Sequence, residues 1–248
     1  MTTLTCIALR TVKYSDRASI LSVYTAQRGR MSLAVPAGKG KSAARFRALT
    51  MPMAVFECQA DVRPGREIAT ARDVRGIVLP PSGSPVAIVQ ALFLADLLGG
   101  LLREPQADAP LFACLLHTSE SLAMAAGPSG AGGRASLMLP NFHLAFMLRL
   151  QRFMGIEPDW STYRRGSVFD MAAGVFRALP PPHPHYLPPA EAEAAFSLSR
   201  MTPANCHRFR LSRLDRNTIL DRLLSYYRLH FPTLPAITST DILHQLFS

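Results

Sequence analysis

The hydrophobic pattern of the chain changes its period at residues 80–85, PPSGSP. Before this stretch, short apolar runs alternate with polar residues, as in 20–25 and 31–35, which is the two-residue period of β-strands. After it, apolar residues recur every three or four positions, as they do in helices. A cluster of prolines with a glycine marks a break between elements. The pattern therefore predicts an α+β chain with a domain boundary near residue 80.

Residues 1–80 have the pattern of a small β-barrel. The runs 20–25 and 31–35 form a predicted hairpin, and strands are also expected at 53–60 and 67–74, which a Pro-Gly turn separates. About five short strands fit in this stretch, which suits an OB-fold-like barrel that binds nucleic acid. An SH3-like barrel is the alternative.

Residues 81–248 are predicted to form an all-α helical-bundle domain. The expected helices are 86–104, 111–125, 137–154, 217–231 and 239–247. Between the third and the fourth, the proline-rich segment 158–207 is predicted to be irregular.

Charge is distributed unevenly along the chain. Lysine and arginine number 27 against 17 acidic residues, which gives a net charge of +10, and 24 of the 27 are arginine. Residues 1–78 contain 13 basic and 5 acidic side chains, whereas residues 79–248 contain 14 and 12. Clustered cations favour polyanions because binding releases condensed counterions. Nucleic acid is therefore the first expected partner, and an anionic membrane surface is the second.

The segment 38–47, GKGKSAARFR, is the most basic local feature and is predicted to be a loop between strands. We predict that its cations bind DNA phosphates and that Phe46 stacks on a base; these cations are Lys39, Lys41, Arg45 and Arg47. Four further cations lie on predicted turns or strand ends and are expected to extend the same surface if the barrel closes: Lys13, Arg17, Arg28 and Arg30. The alternative is a solvated basic loop that binds nothing.

Catalytic and metal-binding motifs are missing from the sequence. No G-x-S-x-G, H-E-x-x-H, P-loop or dinucleotide-binding pattern occurs, and the four cysteines are expected to be buried thiols. His183 and His185, with His207 or Cys206, are a weak metal-binding pattern because no Asp or Glu is expected close by to complete a site. The prediction is a protein that is not an enzyme and has no cofactor or metal. Two alternatives remain open: a metal-dependent enzyme acting on nucleic acid through these histidines, and a protein-interaction scaffold.

Membrane insertion is not predicted. The most apolar stretch, 86–102, is short for a bilayer and contains Gln90 and Asp96, and the N-terminus has no secretory pattern. The expected location is the cytoplasm, in association with the nucleoid.

Several segments resemble the RecO family of bacterial recombination mediators, in particular its shorter branch without zinc. In the barrel, residues 8–42 (ALRTVKYSDRASILSVYTAQRGRMSLAVPAGKGKS) resemble the family's first strands and basic loop, and Pro52 fits the strand that follows. In the helical region, 141–159 (NFHLAFMLRLQRFMGIEPD) resembles the central helix, and 223–232 (LLSYYRLHFP) resembles a late helix.

This resemblance implies an OB-fold that binds single- and double-stranded DNA, a helical C-terminal domain and annealing of complementary strands. It also implies RecR as a partner and loading of RecA onto DNA coated with single-strand binding protein. The acidic C-terminal tail of single-strand binding protein is expected to bind the helical domain, with Arg149 and Arg152 as candidate contacts. Many members have a four-cysteine zinc site after the central helix, but 159–187 of this chain has no cysteine, so no zinc is predicted.

Overall fold

The computed structural model describes residues 1–38, 40–63, 65–127 and 136–246. The first third of the chain forms a closed five-stranded barrel, in the order β1-β2-β3-β5-β4. Its strands are β1 (Thr2–Lys13), β2 (Ala18–Thr25), β3 (Gly29–Pro36), β4 (Val55–Asp61) and β5 (Ile68–Val78). β1 pairs antiparallel with both β2 and β4, and the parallel pair β3–β5 closes the barrel. This order, with one helix between β3 and β4, is that of the OB-fold, so the predicted fold class is confirmed.

Alternate residues of the strands fill the barrel. Leu4, Cys6 and Ala8 of β1 pack with inward side chains from the other four strands. Cys6 and Cys58 are neighbours inside it, with their sulfur atoms 4.0 Å apart. The hydrogen bond with Cys58, together with burial, raises the pKa of the Cys6 thiol. All four cysteines are free and buried, as the sequence predicts.

The predicted basic loop is largely a helix, α1 (Lys41–Leu49). Ala43 is buried, and Phe46 and Leu49 pack against the barrel core. These three residues are spaced by three, so they lie along one side of a helix. The prediction of a loop was wrong because the charges concealed this short apolar face, which is stabilised only by contact with the barrel.

Helices follow the barrel, as the change in period predicts. They are α2 (Pro85–Leu101), α3 (Ala109–Ala126), α4 (Leu139–Phe153), α5 (Pro189–Leu198), α6 (Arg213–His230) and α7 (Ser239–Leu246). The Ser84 hydroxyl caps α2 by accepting from the backbone N–H of Ala87. Within the described ranges, no helix is long and apolar enough to cross a bilayer. The sequence after α3 also predicts a glycine-rich loop at 127–133, and residues 128–133 lie outside the described residues.

The chain divides into two compact units, one formed by residues 1–139 with 235–248 and the other by 140–234. The predicted boundary near residue 80 thus falls inside the first unit. The reason is that α2 packs against the outer side of β1. Ile7 and Leu9 of β1 do not belong to the cluster inside the barrel, yet both are fully buried. α7 in turn packs against α2.

The proline-rich segment 158–207 contains more regular structure than predicted. It has a three-stranded sheet, β6 (Val168–Asp170), β7 (Val175–Arg177) and β8 (Tyr186–Leu187), in the order β7-β6-β8, and it contains α5. An apolar cluster that includes Phe169, Phe176 and Tyr226 packs against this sheet. Strands of two or three residues are too short to give a recognisable period. The helical region therefore includes a small sheet.

Gly29 provides a test of how the β2–β3 turn is held. It has φ +66°, and a Cβ at this position would lie 2.1 Å from the Gln106 carbonyl oxygen. Gly65 has a similar φ of +76° with open space around it. We expect Gly29→Ala to lower the free energy of unfolding by about 3 kcal/mol or more, and Gly65→Ala by only about 1 kcal/mol, the cost of the backbone conformation. Urea unfolding of both variants measures this, and equal losses would contradict the close approach of Gln106.

Candidate nucleic-acid interface

Four of the predicted DNA-binding cations lie at two opposite ends of the barrel. Lys13 pairs with Ser19 at the β1–β2 turn, whereas Thr25 pairs with Gly29 at the β2–β3 turn, which is at the other end of β2. Strands of eight residues are about 26 Å long. Lys13 and Arg17 are therefore separated by the length of the barrel from Arg28 and Arg30. The expectation that all four extend one surface was wrong, because the strand register places them at different ends.

The β1–β2 end contains a cavity of about 900 Å³, here called the barrel-end cavity. Arg10, Lys13 and Arg47 line it, so the structure brings two of the predicted cations together and adds a third. Lys13 forms an exposed ion pair with Asp16 at 3.0 Å, and the Arg47 guanidinium donates to the Gly38 carbonyl. Lys39 lies outside the described residues, as do the side chains of Lys41 and Arg45.

The opposite end is partly covered by the connection between α2 and α3. The backbone N–H of Arg30 donates to the Glu104 carbonyl at 3.4 Å. Burial lowers the pKa of Arg30, and its buried Nη1 has no hydrogen-bond partner within the described part of the chain. Tyr24, which pairs with Arg30 across the hairpin, stacks on Phe112 of α3. Arg28 is exposed, but Arg30 is not part of a free cationic surface.

Four exposed arginines of the β4–β5 hairpin were missed by the sequence analysis. Here they are called the β4–β5 arginines: Arg63, Arg66, Arg72 and Arg75. Gln59 and Glu57 of β4 face Arg72 and Arg75, with an irregularity between them at which Asp73 has φ +52°. This bulge keeps Arg72 and Arg75 on the outer face, while Ala71 and Val74 are buried. The alternation of alanine and polar residues before the bulge was the available signal.

The two aromatic candidates near the cations differ in exposure. Phe46, the predicted stacking residue, packs against the barrel core and is only partly exposed. Tyr14 follows Lys13 in the β1–β2 turn, and its side chain is 72% exposed. Tyr14 is therefore better placed than Phe46 to stack on a base.

The second unit has an apolar cavity of about 470 Å³ between α4, α5 and α6. Arg149 and Arg152 are exposed on α4 but do not line this cavity, whereas their neighbours Leu148 and Gln151 do. Three other lining residues alternate with exposed arginines before and at the start of α6. The lining residues are Phe209, Leu211 and Leu214, and the arginines are Arg208, Arg210 and Arg213.

The histidines of the proposed metal-dependent alternative do not form one site. His183 lies beside Asp170, with His183 Nε2 and Asp170 Oδ1 3.4 Å apart, so the expectation that no acidic residue is near was wrong. Asp170 also binds Arg177 at 2.8 Å. In the part of the chain that the structure describes, no three His, Cys, Asp or Glu side chains form a metal-binding group. The described residues therefore do not fit the four-cysteine zinc site that the resemblance implies for many members.

The net charge is divided equally between the two compact units, although it is concentrated in residues 1–78 of the sequence. Residues 1–139 with 235–248 contain 15 basic and 10 acidic side chains, and residues 140–234 contain 12 and 7. Each unit thus has a net charge of +5. The excess in residues 1–78 is offset by acidic residues of α2, α3 and their connection, which belong to the same unit.

These features define an OB-fold protein with a basic barrel and an added, largely helical region. The family model described as the N-terminal domain of recombination protein O matches residues 1–78. The DNA repair protein RecO of Phocaeicola vulgatus is 34% identical over 248 residues, which cover 98% of this chain and 97% of the relative. Those of Bacteroides fragilis and Porphyromonas gingivalis strain W83 are also 34% identical, over 97% of both chains. The chain belongs to the RecO family of DNA repair proteins, so the resemblance noted in the sequence is confirmed.

Asp170 provides a test of what stabilises the small sheet. Burial alone would raise its pKa, but the N–H of Ala173, the nearby His183 and Arg177, and the N–H of Ala172 together lower it. A carboxylate with a lowered pKa stabilises the fold above its unfolded value near pH 4, and this contribution is lost as the pH falls through the folded pKa.

We expect Asp170→Asn to lower the free energy of unfolding by about 1–3 kcal/mol at pH 7, because it removes a buried carboxylate that accepts from the half-exposed Arg177 and from the backbone N–H groups of Ala172 and Ala173. The difference from the unmodified protein should decrease in acid. Urea unfolding at pH 7 and below pH 4 measures both effects. Asp61→Asn is the control, since Asp61 pairs with Arg63 at the surface and no comparable loss is expected. Equal losses at the two positions would contradict the proposed role of Asp170.

Proposed function

We propose that this protein is a non-catalytic recombination mediator that binds single- and double-stranded DNA through its barrel. It anneals complementary strands and, with RecR, helps to load RecA onto DNA coated with single-strand binding protein. Its place of action is the cytoplasm, at the nucleoid. The observation that carries the proposal is the exposure of cations on an OB-fold barrel whose relatives are named DNA repair proteins. The exposed cations among the described barrel residues are Arg10, Lys13, Arg17, Arg28, Arg47, Arg63, Arg66, Arg72 and Arg75.

Charge neutralisation explains how such a barrel anneals strands. Phosphate contacts release counterions and do not depend on the base sequence. Two strands that bind the same cationic protein repel each other less, so complementary segments meet at a lower electrostatic cost. No catalytic group is needed for this step, since base pairing supplies the specificity.

The salt dependence of DNA binding tests the electrostatic part. If about four phosphates are neutralised, log affinity should fall against log salt concentration with a slope near −3.6 on duplex DNA. Arg72→Glu with Arg75→Glu should weaken binding and reduce the slope by about 2, whereas Arg72→Lys with Arg75→Lys should keep it. Charge reversal at Lys39, Lys41, Arg45 and Arg47 tests the predicted basic segment in the same titration. A slope independent of salt would contradict the proposal, and an unchanged slope in the glutamate variant would exclude the β4–β5 face.

Base stacking by Tyr14 is tested with single-stranded DNA. We expect Tyr14→Leu to weaken binding to a single strand by roughly 1–3 kcal/mol, the usual contribution of one stacked base, and to affect duplex binding less. Phe46→Leu should lower stability through the barrel core but leave the affinity of the folded protein unchanged. Fluorescence anisotropy with labelled oligonucleotides measures both. A loss of affinity in Phe46→Leu alone would instead support the stacking role predicted from the sequence.

For the protein partner, we propose that the apolar cavity of the second unit binds the C-terminal tail of single-strand binding protein. A tail with apolar residues and a terminal carboxylate fits a cavity with arginines at its edge. We expect Arg210→Ala with Arg213→Ala to weaken binding of a tail peptide about tenfold, and an amidated peptide to bind more weakly than the free acid. Loss with Arg149→Ala and Arg152→Ala instead would place the site on α4. Strand annealing with and without single-strand binding protein then tests the whole proposal.

A further inference from the structure

The barrel-end cavity has the size and lining of a ligand site. Its volume of about 900 Å³ lies within the range of small-molecule sites. Its wall combines the end of β1, residues 35–38, α1 and α2 with the start of α7. All of these belong to one compact unit.

Two of the cations that line this cavity lack an acidic partner. Lys13 forms an ion pair with Asp16. The other acidic residue of the wall is Asp96, which accepts a hydrogen bond from the Thr238 hydroxyl at 3.4 Å. Among the described residues, neither Arg10 nor Arg47 forms an ion pair. Guanidinium groups suit phosphate oxygens because their N–H donors are planar and fixed in direction.

The first turn of α7 also lines the cavity, through Ser239 and Ile242. A helix N-terminus attracts anions through its unsatisfied N–H groups and its dipole. Ser239, the first residue of α7, lines the cavity and is only 1% exposed, and its Oγ has no hydrogen-bond partner among the residues that the structure describes. A buried hydroxyl without a partner is costly, and at the wall of a cavity a ligand can supply that partner.

We propose that the barrel-end cavity binds the phosphomonoester of a nucleotide, either at the end of a DNA strand or in a free nucleotide. A phosphomonoester has three acceptor oxygens and a charge of about −1.5 to −2 at pH 7, more than a phosphodiester inside a strand. It therefore matches two arginines, a helix N-terminus and the Ser239 hydroxyl. Asp96 suits the rest of a nucleotide, because a carboxylate accepts from base amino groups and sugar hydroxyls. In the case of a strand end, the inference rests on the proposed DNA binding.

The first experiment compares oligonucleotides of one sequence with a 5′-phosphate, a 3′-phosphate or only hydroxyl ends. Fluorescence anisotropy should show about tenfold tighter binding when one terminus is phosphorylated. In a second arm, titration calorimetry with free deoxyadenosine monophosphate tests for a free nucleotide. A gain with the phosphorylated oligonucleotide identifies a strand end, and binding of the mononucleotide without that gain identifies a free nucleotide as the source.

Ser239→Ala separates binding from stability. It should remove most of the gain from the phosphate or weaken mononucleotide binding several-fold, while the affinity for the hydroxyl-ended oligonucleotide stays unchanged. Its free energy of unfolding should be unchanged or higher, because the unpartnered hydroxyl is gone. Ser225→Ala is the control, since the Ser225 hydroxyl donates to the Asp221 carbonyl on α6 in the other unit.

Arginine variants locate the phosphate. Arg10→Ala and Arg47→Ala should each reduce the phosphate gain, whereas Arg75→Ala on the outer face should weaken all three oligonucleotides equally. A phosphate gain that persists in Arg10→Ala, Arg47→Ala and Ser239→Ala would overturn the assignment to this cavity.

The remaining outcomes separate this inference from the proposed function. If no terminal phosphate tightens binding and the mononucleotide does not bind, the inference is wrong, while salt-dependent binding of the hydroxyl-ended strand still supports DNA binding. If the mononucleotide binds but no oligonucleotide does, the cavity is confirmed and the proposed DNA binding is contradicted.

Discussion

The pairing of β1 with both β2 and β4 is the interaction on which the rest of the structure depends. Residues 2–7 pair with β4, and residues 6–13 pair with β2 across an irregularity between Ala8 and Arg10. The same strand contributes Cys6 and Ala8 to the barrel interior and buries Leu9 beside α2. Beyond the irregularity, it places Arg10 and Lys13 in the wall of the barrel-end cavity. Core, helix packing and candidate binding surface thus all require one continuous strand.

The barrel and the long helices could be predicted because their periodicity extends over enough residues to be recognised. α1 could not, because the burial of Ala43, Phe46 and Leu49 depends on a barrel that forms from distant strands. The small sheet of the second unit was missed for a related reason. Its strands have two or three residues, and contacts far apart in sequence stabilise them, such as Tyr163 stacked on Phe196 at 3.9 Å.

The candidate site was only partly predictable because sequence gives the identity of a cation but not its position on a closed barrel. Lys13 and Arg30 are near in sequence, yet the strand register separates them by the length of a hairpin. Arg72 and Arg75 share a face only because Asp73 adopts a left-handed backbone conformation at the bulge. A strict two-residue alternation would place them on opposite faces, so the pattern alone conceals the pair.

The covering of the β2–β3 face determines where DNA has access to this barrel. OB-folds bind oligonucleotides on that face and on the β1–β2 and β4–β5 loops. Here Tyr24 stacks on Phe112, and the backbone of Gln106 lies against Gly29, so the part of the face near the β2–β3 turn is occupied by the protein's own chain. The two loops stay open, with Tyr14 and Arg17 in the β1–β2 loop and Arg63 and Arg66 in the β4–β5 loop. Under the proposed DNA binding, a strand would therefore be displaced from the β2–β3 turn toward the two open loops.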